Sequence, residues 1–202
     1  MKNLQTISVN GADFDISKEF VRVNYAEEVN KVLGFDVLPL QDNLEELKKK
    51  VVETGLFDED EIIYLKSAGA VVDYVYKRKI RPEIVNPTIL FNYPACLVPL
   101  ARRSDKDSRV IEMFQFLING EELCKAYSEL VDPVIQRETL EDQAKAKASG
   151  DEEAMDVDED FLLAMEHGMP PMSGLGMGID RLLVMLYAQP SIRDVVLFPI
   201  MK

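Results

Sequence analysis

The segment Gly168-Met-Pro-Pro-Met-Ser-Gly-Leu-Gly-Met-Gly-Ile-Asp-Arg181 decides how this chain should fold. Glycines at alternate positions, Gly174, Gly176 and Gly178, remove every side chain from one side of an extended segment. A flat ligand or another backbone can therefore reach the main chain on that side. We interpret the segment as a strand with one bare face, next to a binding site.

A permanent cation follows this strand. Arg181 lies in the first turn of an apolar helical pattern that continues to Tyr187. Its guanidinium stays charged and presents a planar fork to phosphate, or stacks on a ring. A nucleotide, which is anionic and planar, fits such a site. The alternative is structural: alternate glycines mark a crowded position in a sheet, and the arginine is a solvated helix start.

The segment resembles motif 3 of class II aminoacyl-tRNA synthetases, and within that class it is similar to lysyl-tRNA synthetases. The resemblance is strong over about residues 80–202 and weaker over 1–79. The matching segments outside motif 3 are 80–88, 93–103, 114–130, 142–155 and 191–199. The family's anticodon-binding barrel, motif 1 and motif 2 are not visible. The chain thus resembles the C-terminal half of a catalytic domain, as a cut piece, a split gene or a reduced paralogue.

The resemblance implies the cofactors ATP and Mg²⁺, and it assigns residues to them. Arg181 would contact ATP, and the strand 174–178 would form the floor of the pocket. Glu122 aligns with a magnesium ligand that also belongs to the ATP site. The amino-acid pocket would contain Lys125, Tyr127 and Glu129, with Glu129 receiving the lysine ε-ammonium. The structural alternative for Glu129 is a helix-start carboxylate ahead of Pro133.

Three positions depart from the family's pattern. Gln115 stands where the family has a second magnesium-binding glutamate, and an amide oxygen ligates more weakly and neutralises no charge. Lys125 replaces an asparagine and places a cation where lysine should bind, unless it turns toward a nearby carboxylate. Val98 replaces a serine and removes a hydroxyl. Together these changes are typical of a site that has drifted from lysine activation.

Strand alternation raises a further point about Glu122. In a regular strand it would face away from Lys125, Tyr127 and Glu129, because successive side chains point to opposite faces. All four line one pocket only if a β-bulge interrupts the strand near Leu123 and Cys124. We therefore predict a bulge there.

Composition limits the other function classes. The formal net charge of −13 argues that this part does not grip RNA, so tRNA would be bound by the absent N-terminal half. No apolar run reaches membrane-spanning length, and we expect a cytoplasmic protein without membrane attachment. Cys96 and Cys124 lack metal spacing and are expected to be buried free thiols, and the presence of a single histidine, His167, argues against a zinc site.

The pattern along the chain predicts an α+β fold, an antiparallel sheet flanked by helices, as in a partial class II synthetase core. We expect one domain over 1–202, with a helical insertion at about 42–80 and a sheet core with motif 3 at 81–202. Strands are expected at 7–15 (a hairpin), 20–23, 88–93, 110–118, 121–129, 174–178 and 195–198. Helices are expected at 25–33 (ending at Gly34), from Asp42 or Asn43, at 58–79 with Ile63 inward, at 134–149 (ending at Gly150), at 161–167 and after Gly178.

Two functional hypotheses follow. The first is a C-terminal catalytic part of a lysine–tRNA ligase, inactive by itself. The second is a non-catalytic synthetase-like module that binds a ligand or regulates. A family-style dimer is not implied because motif 1 is absent, although an exposed sheet edge favours some self-association.

Overall fold

The structure, a computed structural model, describes residues 5–148 and 154–199. The strands of this part are β1 (Thr6–Val9), β2 (Ala12–Asp15), β3 (Val21–Asn24), β4 (Thr88–Pro94), β5 (Val110–Ile118), β6 (Glu121–Ser128) and β7 (Ser173–Met177). The α-helices are α1 (Tyr25–Leu33), α2 (Leu44–Glu53), α3 (Glu59–Ile63), α4 (Ala68–Val75), α5 (Pro133–Ala148), α6 (Glu159–Glu166) and α7 (Ile179–Leu186). This is the expected mixed α+β class.

Five strands form one sheet in the order β3-β4-β5-β6-β7. The pairs from β4 to β7 are antiparallel, as expected, but β3 runs parallel to β4. The expectation of a wholly antiparallel sheet was therefore wrong. A parallel pair needs a long crossover, and the helices α1 to α4 lie between these two strands.

The hairpin β1–β2 forms a separate small sheet. Its turn residues, Asn10 and Gly11, have φ of 50° and 79°, which suits the tight hairpin turn predicted from the Asn-Gly pair. Asn119 and Gly120, with φ of 50° and 71°, join β5 to β6 in the same way. Gly34, with φ of 77°, ends α1 as expected.

Two apolar clusters lie on opposite faces of the sheet, because the adjacent residues Leu117 and Ile118 belong to different clusters. The larger cluster joins α1, α2, α3 and α4 to the sheet and includes the fully buried Val29, Leu47 and Leu90. The smaller cluster packs the hairpin and α7 against the other face. It contains Ile7, Val9, Phe14, Ile118, Leu123 and Met185.

The single helix expected at 58–79 is instead α3, α4 and a π-helical segment, Tyr76–Ile80, that continues α4. Asp58 caps α3 as its sequence position suggested, but the helix ends at Ile63 and α4 starts after Ser67, whose hydroxyl accepts from the Ala70 N–H. The side chain of Lys48 donates to the carbonyl of Ile63 at 3.0 Å, so this main-chain acceptor at the C-terminal end of α3 has a hydrogen-bond partner. Ile63 is 57% exposed, so its expected inward position was wrong.

The C-terminal strand expected at 195–198 is not formed. Ser191 caps a short 3₁₀ turn, Ile192–Asp194, and the chain then continues without strand pairing in the described part. Leu197 and Phe198 are 90% and 91% exposed, so no neighbouring strand covers this apolar pattern. The predicted end of the helix at Gly150 lies outside the described residues. No helix of the described part is long and apolar enough to cross a bilayer.

Candidate functional site

A bulge in β6 brings the candidate residues to one face of the sheet. Phe116 pairs with Cys124, but the next residue on β5, Leu117, pairs with Glu122, so Leu123 is the extra residue. The bulge predicted from alternation is confirmed at Leu123. It turns Leu123 into the smaller apolar cluster and leaves Glu122 on the same face as Lys125.

The strand register sets the neighbours of Lys125 and Tyr127. Lys125 lies between Gln115 of β5 and Gly176 of β7, and Tyr127 has Gly174 as its β7 partner. Directly opposed residues on one face place their side chains in contact range. The sequence-predicted residues on these three strands are therefore neighbours, as the hypothesis required.

A cleft of ≈ 1030 Å³ opens on this face. Among the predicted residues, Gln115, Glu122, Lys125 and Tyr127 line it, as does Val98, the position that departs from a serine. The other predicted residues do not line it: Glu129, Arg181 and the three glycines Gly174, Gly176 and Gly178. The structure thus divides the predicted site into residues that line the cleft and residues that lie outside it.

The charge of the cleft is opposite to that of the chain. Its described lining contains four cations and two carboxylates, namely Lys66, Lys77, Arg81 and Lys125 against Asp73 and Glu122. The whole chain has a formal net charge of −13. A recess with this local excess of cations, in a strongly acidic protein, attracts anions.

Gln115 is locked by two hydrogen bonds. Its Oε1 accepts from the Tyr93 hydroxyl at 2.6 Å, and its Nε2 donates to Oε2 of Glu122 at 2.9 Å. Burial raises the pKa of Tyr93 well above its usual value, so the phenol stays protonated and donates. This fixes which end of the amide faces Glu122: it is the N–H₂ end.

This arrangement does not fit a magnesium ion shared by Gln115 and Glu122. The amide oxygen is already used by Tyr93, and the group that Gln115 points toward Glu122 is a donor, which cannot ligate a cation. Only one carboxylate remains, whereas magnesium prefers several oxygens at near-octahedral positions. Among the residues that the structure describes, no group of three or more His, Cys, Asp or Glu is placed to hold a metal.

Glu129 lies directly over Gly174. A Cβ built on Gly174 would be 2.0 Å from Oε1 of Glu129, so only a glycine leaves room for the carboxylate in this position. The backbone of Glu129 is tied down because its N–H donates to the carbonyl of Met172 at 3.0 Å. The absent side chain of Gly174 therefore has a definite use, which is to hold a carboxylate over the bare strand.

Arg181 is oriented by the strand, although it is exposed. Its Nη1 donates to the main-chain carbonyl of Glu122 at 2.8 Å, and its aliphatic carbons lie 3.4–3.5 Å from the Cβ position of Gly178. Nothing lies within 4 Å of the Cβ position of Gly176. The bare strand is open at Gly176, with a guanidinium held at its end, an arrangement that has room for a planar anionic ligand.

Sequence patterns gave no signal for the inner wall of the cleft. Tyr25 of α1 and Tyr76 stack with ring centroids 4.7 Å apart, and both hydroxyls are buried without a hydrogen-bond partner in the described residues. The sequence predicted only that these two tyrosines lie in helical segments. They form the wall because the two segments pack against each other in the tertiary structure. Cys96 also lines the cleft; it is a free thiol, as expected, but it is half-buried, whereas Cys124 is buried.

The sequence of this chain is similar to those of known proteins. The family model described as tRNA synthetases class II (D, K and N) matches residues 1–202. A lysine–tRNA ligase of Lactococcus lactis subsp. cremoris is 38% identical over 196 residues, which are 97% of this chain and 39% of that protein. The enzyme of Nostoc punctiforme is 40% identical over 196 residues, 97% of this chain and 34% of that protein.

A lysine–tRNA ligase of Campylobacter jejuni is 39% identical over 198 residues, covering 98% of this chain and 38% of the relative. The chain spans about two fifths or less of the relatives it matches. The family match covers every residue, and the fold is mixed α+β with the glycine strand and Arg181 side by side. The chain belongs to the class II tRNA synthetase family of the D, K and N type.

Proposed function

We propose that this chain is the C-terminal, motif 3 part of the catalytic domain of a lysine–tRNA ligase. Residues 42–80 would be its helical insertion, and residues 81–202 its sheet core. The complete cytoplasmic protein would activate lysine with ATP and transfer it to tRNA. The observation that carries the proposal is the Glu129 carboxylate held over Gly174, at one end of a bare strand whose other end carries Arg181.

Each of these residues has a role in the proposed site. Glu129 would receive the lysine ε-ammonium, because a carboxylate that is partly withdrawn from water discriminates a cationic side chain from neutral ones. The open main chain at Gly176 would lie under the flat part of the nucleotide, with the guanidinium of Arg181 beside it. Tyr127 would form the wall between the two substrates, since it pairs with Gly174 and lines the cleft.

The chemistry of activation needs positioning more than a reactive side chain. An oxygen of the lysine carboxylate attacks the α-phosphorus of ATP, the bond to the bridging oxygen of the β-phosphate breaks, and pyrophosphate leaves with that electron pair. Both reactants are anions, so the pocket must bring them together and spread the charge. The excess of cations in the cleft supports this requirement.

The isolated chain should not perform the reaction. It spans 39% of the Lactococcus relative, and by resemblance the second ATP arginine and part of the lysine pocket lie in motif 2. Contacts to tRNA would also come from outside this chain, because its net charge of −13 opposes phosphate binding over most of its surface.

A chimera tests the proposal. This chain would replace the matching 196 residues of the Lactococcus lactis ligase, and lysine-dependent ATP–pyrophosphate exchange would be measured. We expect exchange by the chimera and none above background by the isolated chain. Glu129→Gln in the chimera should lower exchange by about tenfold or more, since it removes the charge that receives lysine. A folded chimera without exchange, or robust exchange by the isolated chain, would contradict the proposal.

The non-catalytic module is the second candidate, and Gln115, Lys125 and Val98 are the observations in its favour. Calorimetry with ATP, lysine and an acidic amino acid separates the two. Binding of the acidic amino acid in preference to lysine would support a repurposed pocket. The named relatives, which are all lysine–tRNA ligases, support the first candidate.

A further inference from the structure

Gln115 and Glu122, the two residues that the family resemblance assigns to magnesium, are hydrogen-bonded to each other. Gln115 donates to Glu122 at 2.9 Å, so the two are bonded directly and leave no gap for an ion between them. The other end of the amide accepts from Tyr93 at 2.6 Å. A cation placed there would have to break both hydrogen bonds and would gain a single carboxylate.

A lysine side chain lies beside this pair instead. Lys125 is the direct partner of Gln115 across the β5–β6 ladder and lines the same cleft. Its side chain is exposed and, within the described residues, makes no ion pair or hydrogen bond. Glu122 accepts from Gln115, and no ion pair joins it to Lys125 in the described part of the chain, so the ammonium of Lys125 faces the cleft.

We propose that this pocket binds the polyphosphate of its nucleotide with the ammonium of Lys125 in the role that a divalent cation at positions 115 and 122 plays in the family. The inference rests on the proposed function and adds to it that ATP binds without a divalent cation at positions 115 and 122. Lysine acts as a point charge toward phosphate and needs no fixed coordination geometry. Gln115, which pairs with Glu122, and Lys125 are the two departures from the family pattern at this place. The inference explains both by one change, the replacement of a metal ion by the lysine ammonium.

The first arm of the test uses metal alone on the 202-residue chain. Mn²⁺ binding is followed by water-proton relaxation for the unchanged chain, Gln115→Glu and Gln115→Glu/Lys125→Asn. We expect no saturable Mn²⁺ site in the unchanged chain. The double variant should bind Mn²⁺ at least about tenfold more tightly, because it provides two carboxylates and removes a like charge. Equal Mn²⁺ affinity in the unchanged chain and the double variant would overturn the inference.

The second arm measures ATP binding by calorimetry, once with EDTA and once with Mg²⁺. For the unchanged chain we expect affinities that differ by less than about threefold between the two conditions. Lys125→Asn should weaken binding of metal-free ATP by about tenfold. Lys49→Asn, which removes an exposed lysine of α2, is the matched control and should have no effect. Circular dichroism and urea unfolding would check that each variant is folded.

Two further comparisons identify the source of any loss. Inorganic tripolyphosphate should lose affinity with Lys125→Asn as ATP does, whereas a loss confined to lysine would mean that the ammonium binds a carboxylate, and would overturn the inference. ATP that binds only with Mg²⁺, or no ATP binding by a chain that binds lysine, would overturn it while leaving the proposed function standing. Failure of ATP and lysine to bind, together with a chimera that does not exchange, would overturn both.

Discussion

At the scale of single residues, the site depends on what two glycines leave free. Gly174 makes room for the carboxylate of Glu129, and Gly176 leaves the main chain uncovered. The sequence predicted a bare strand face from the alternate glycines, but it did not predict that the two positions have different uses. That difference comes from the neighbouring strand, whose register places Glu129 near one glycine only.

Gly174→Ala should displace the Glu129 carboxylate without unfolding the chain. The new Cβ meets the end of a flexible side chain, so Glu129 turns away and the free energy of unfolding changes by less than about 1 kcal/mol. In the chimera we expect lysine affinity, measured by calorimetry, to fall by about tenfold. Gly176→Ala is the comparison variant: its Cβ meets nothing within 4 Å of the protein and lies on the proposed nucleotide side, so it should leave lysine affinity unchanged and weaken only ATP binding. Equal effects of the two variants on lysine affinity would contradict the assigned position of Glu129.

The thiol of Cys96 should react slowly with alkylating reagents. Burial raises its pKa to about 12, so at pH 8 only about one thiol in ten thousand is ionised, and only the thiolate reacts. Iodoacetamide labelling, followed by mass spectrometry in a Cys124→Ser background, should be about a thousandfold slower than in urea and should speed up as pH rises toward 12.

The same shift has a consequence for stability. A thiol whose folded pKa is raised contributes stability that is present below its unfolded pKa of about 8.5 and is lost as pH rises through the folded value.

Labelling of Cys96 in the folded chain as fast as in urea would show that the thiol is not withdrawn from water.

At the scale of elements, local patterns predicted most boundaries and failed where tertiary contacts decide. The helix 25–33, the strand 110–118 and both Asn-Gly hairpins agree with the structure because caps and turns act over a few residues. The bulge at Leu123 was predictable because four side chains had to share one face. The break between α3 and α4, the parallel pairing of β3 and the unpaired residues 195–198 depend on partners distant in sequence.

Gly69 of α4 shows such a distant partner. A Cβ at this position would be 2.2 Å from the main-chain oxygen of Cys96, which cannot turn aside as a side chain can. We expect Gly69→Ala to lower the free energy of unfolding by about 2–3 kcal/mol, measured by urea denaturation, although alanine normally favours a helix. Gly176→Ala serves again as the reference in open space. A stabilised Gly69→Ala variant would mean that α4 does not pack on this segment.

At the scale of the whole molecule, one edge of the structure is apolar and uncovered. Leu175 of β7 is 63% exposed, Ile179 of α7 is 60% exposed, and Tyr187, which follows α7, is 68% exposed. The opposite face of the sheet from the cleft also has an apolar recess of ≈ 610 Å³ that includes Phe114. Exposed patches of this kind are typical of interfaces. We expect the remaining part of a ligase chain to cover this edge.

The isolated chain should therefore bind the dye ANS and self-associate, and the chimera should do so less. Leu175→Lys should reduce both the ANS fluorescence and the sedimentation coefficient of the isolated chain, because it places a charge in the exposed strip. Tyr64→Lys, at a position 79% exposed elsewhere on the surface, is the control and should change neither. Equal ANS fluorescence of the chain and the chimera would show that the strip stays open in the longer protein.

The packing of the first hairpin on the last helix governs the order of events during translation. The side chains of Ile7 and Val9 meet Ile118 and Leu123 only after more than half of this chain has been made, and Met185 later still. At ordinary elongation speeds the nascent hairpin waits on the order of ten seconds at the ribosome before α7 covers it. Such a chain should depend on chaperones while it is synthesised, and a nonsense codon shortly before α7 should yield a product that aggregates.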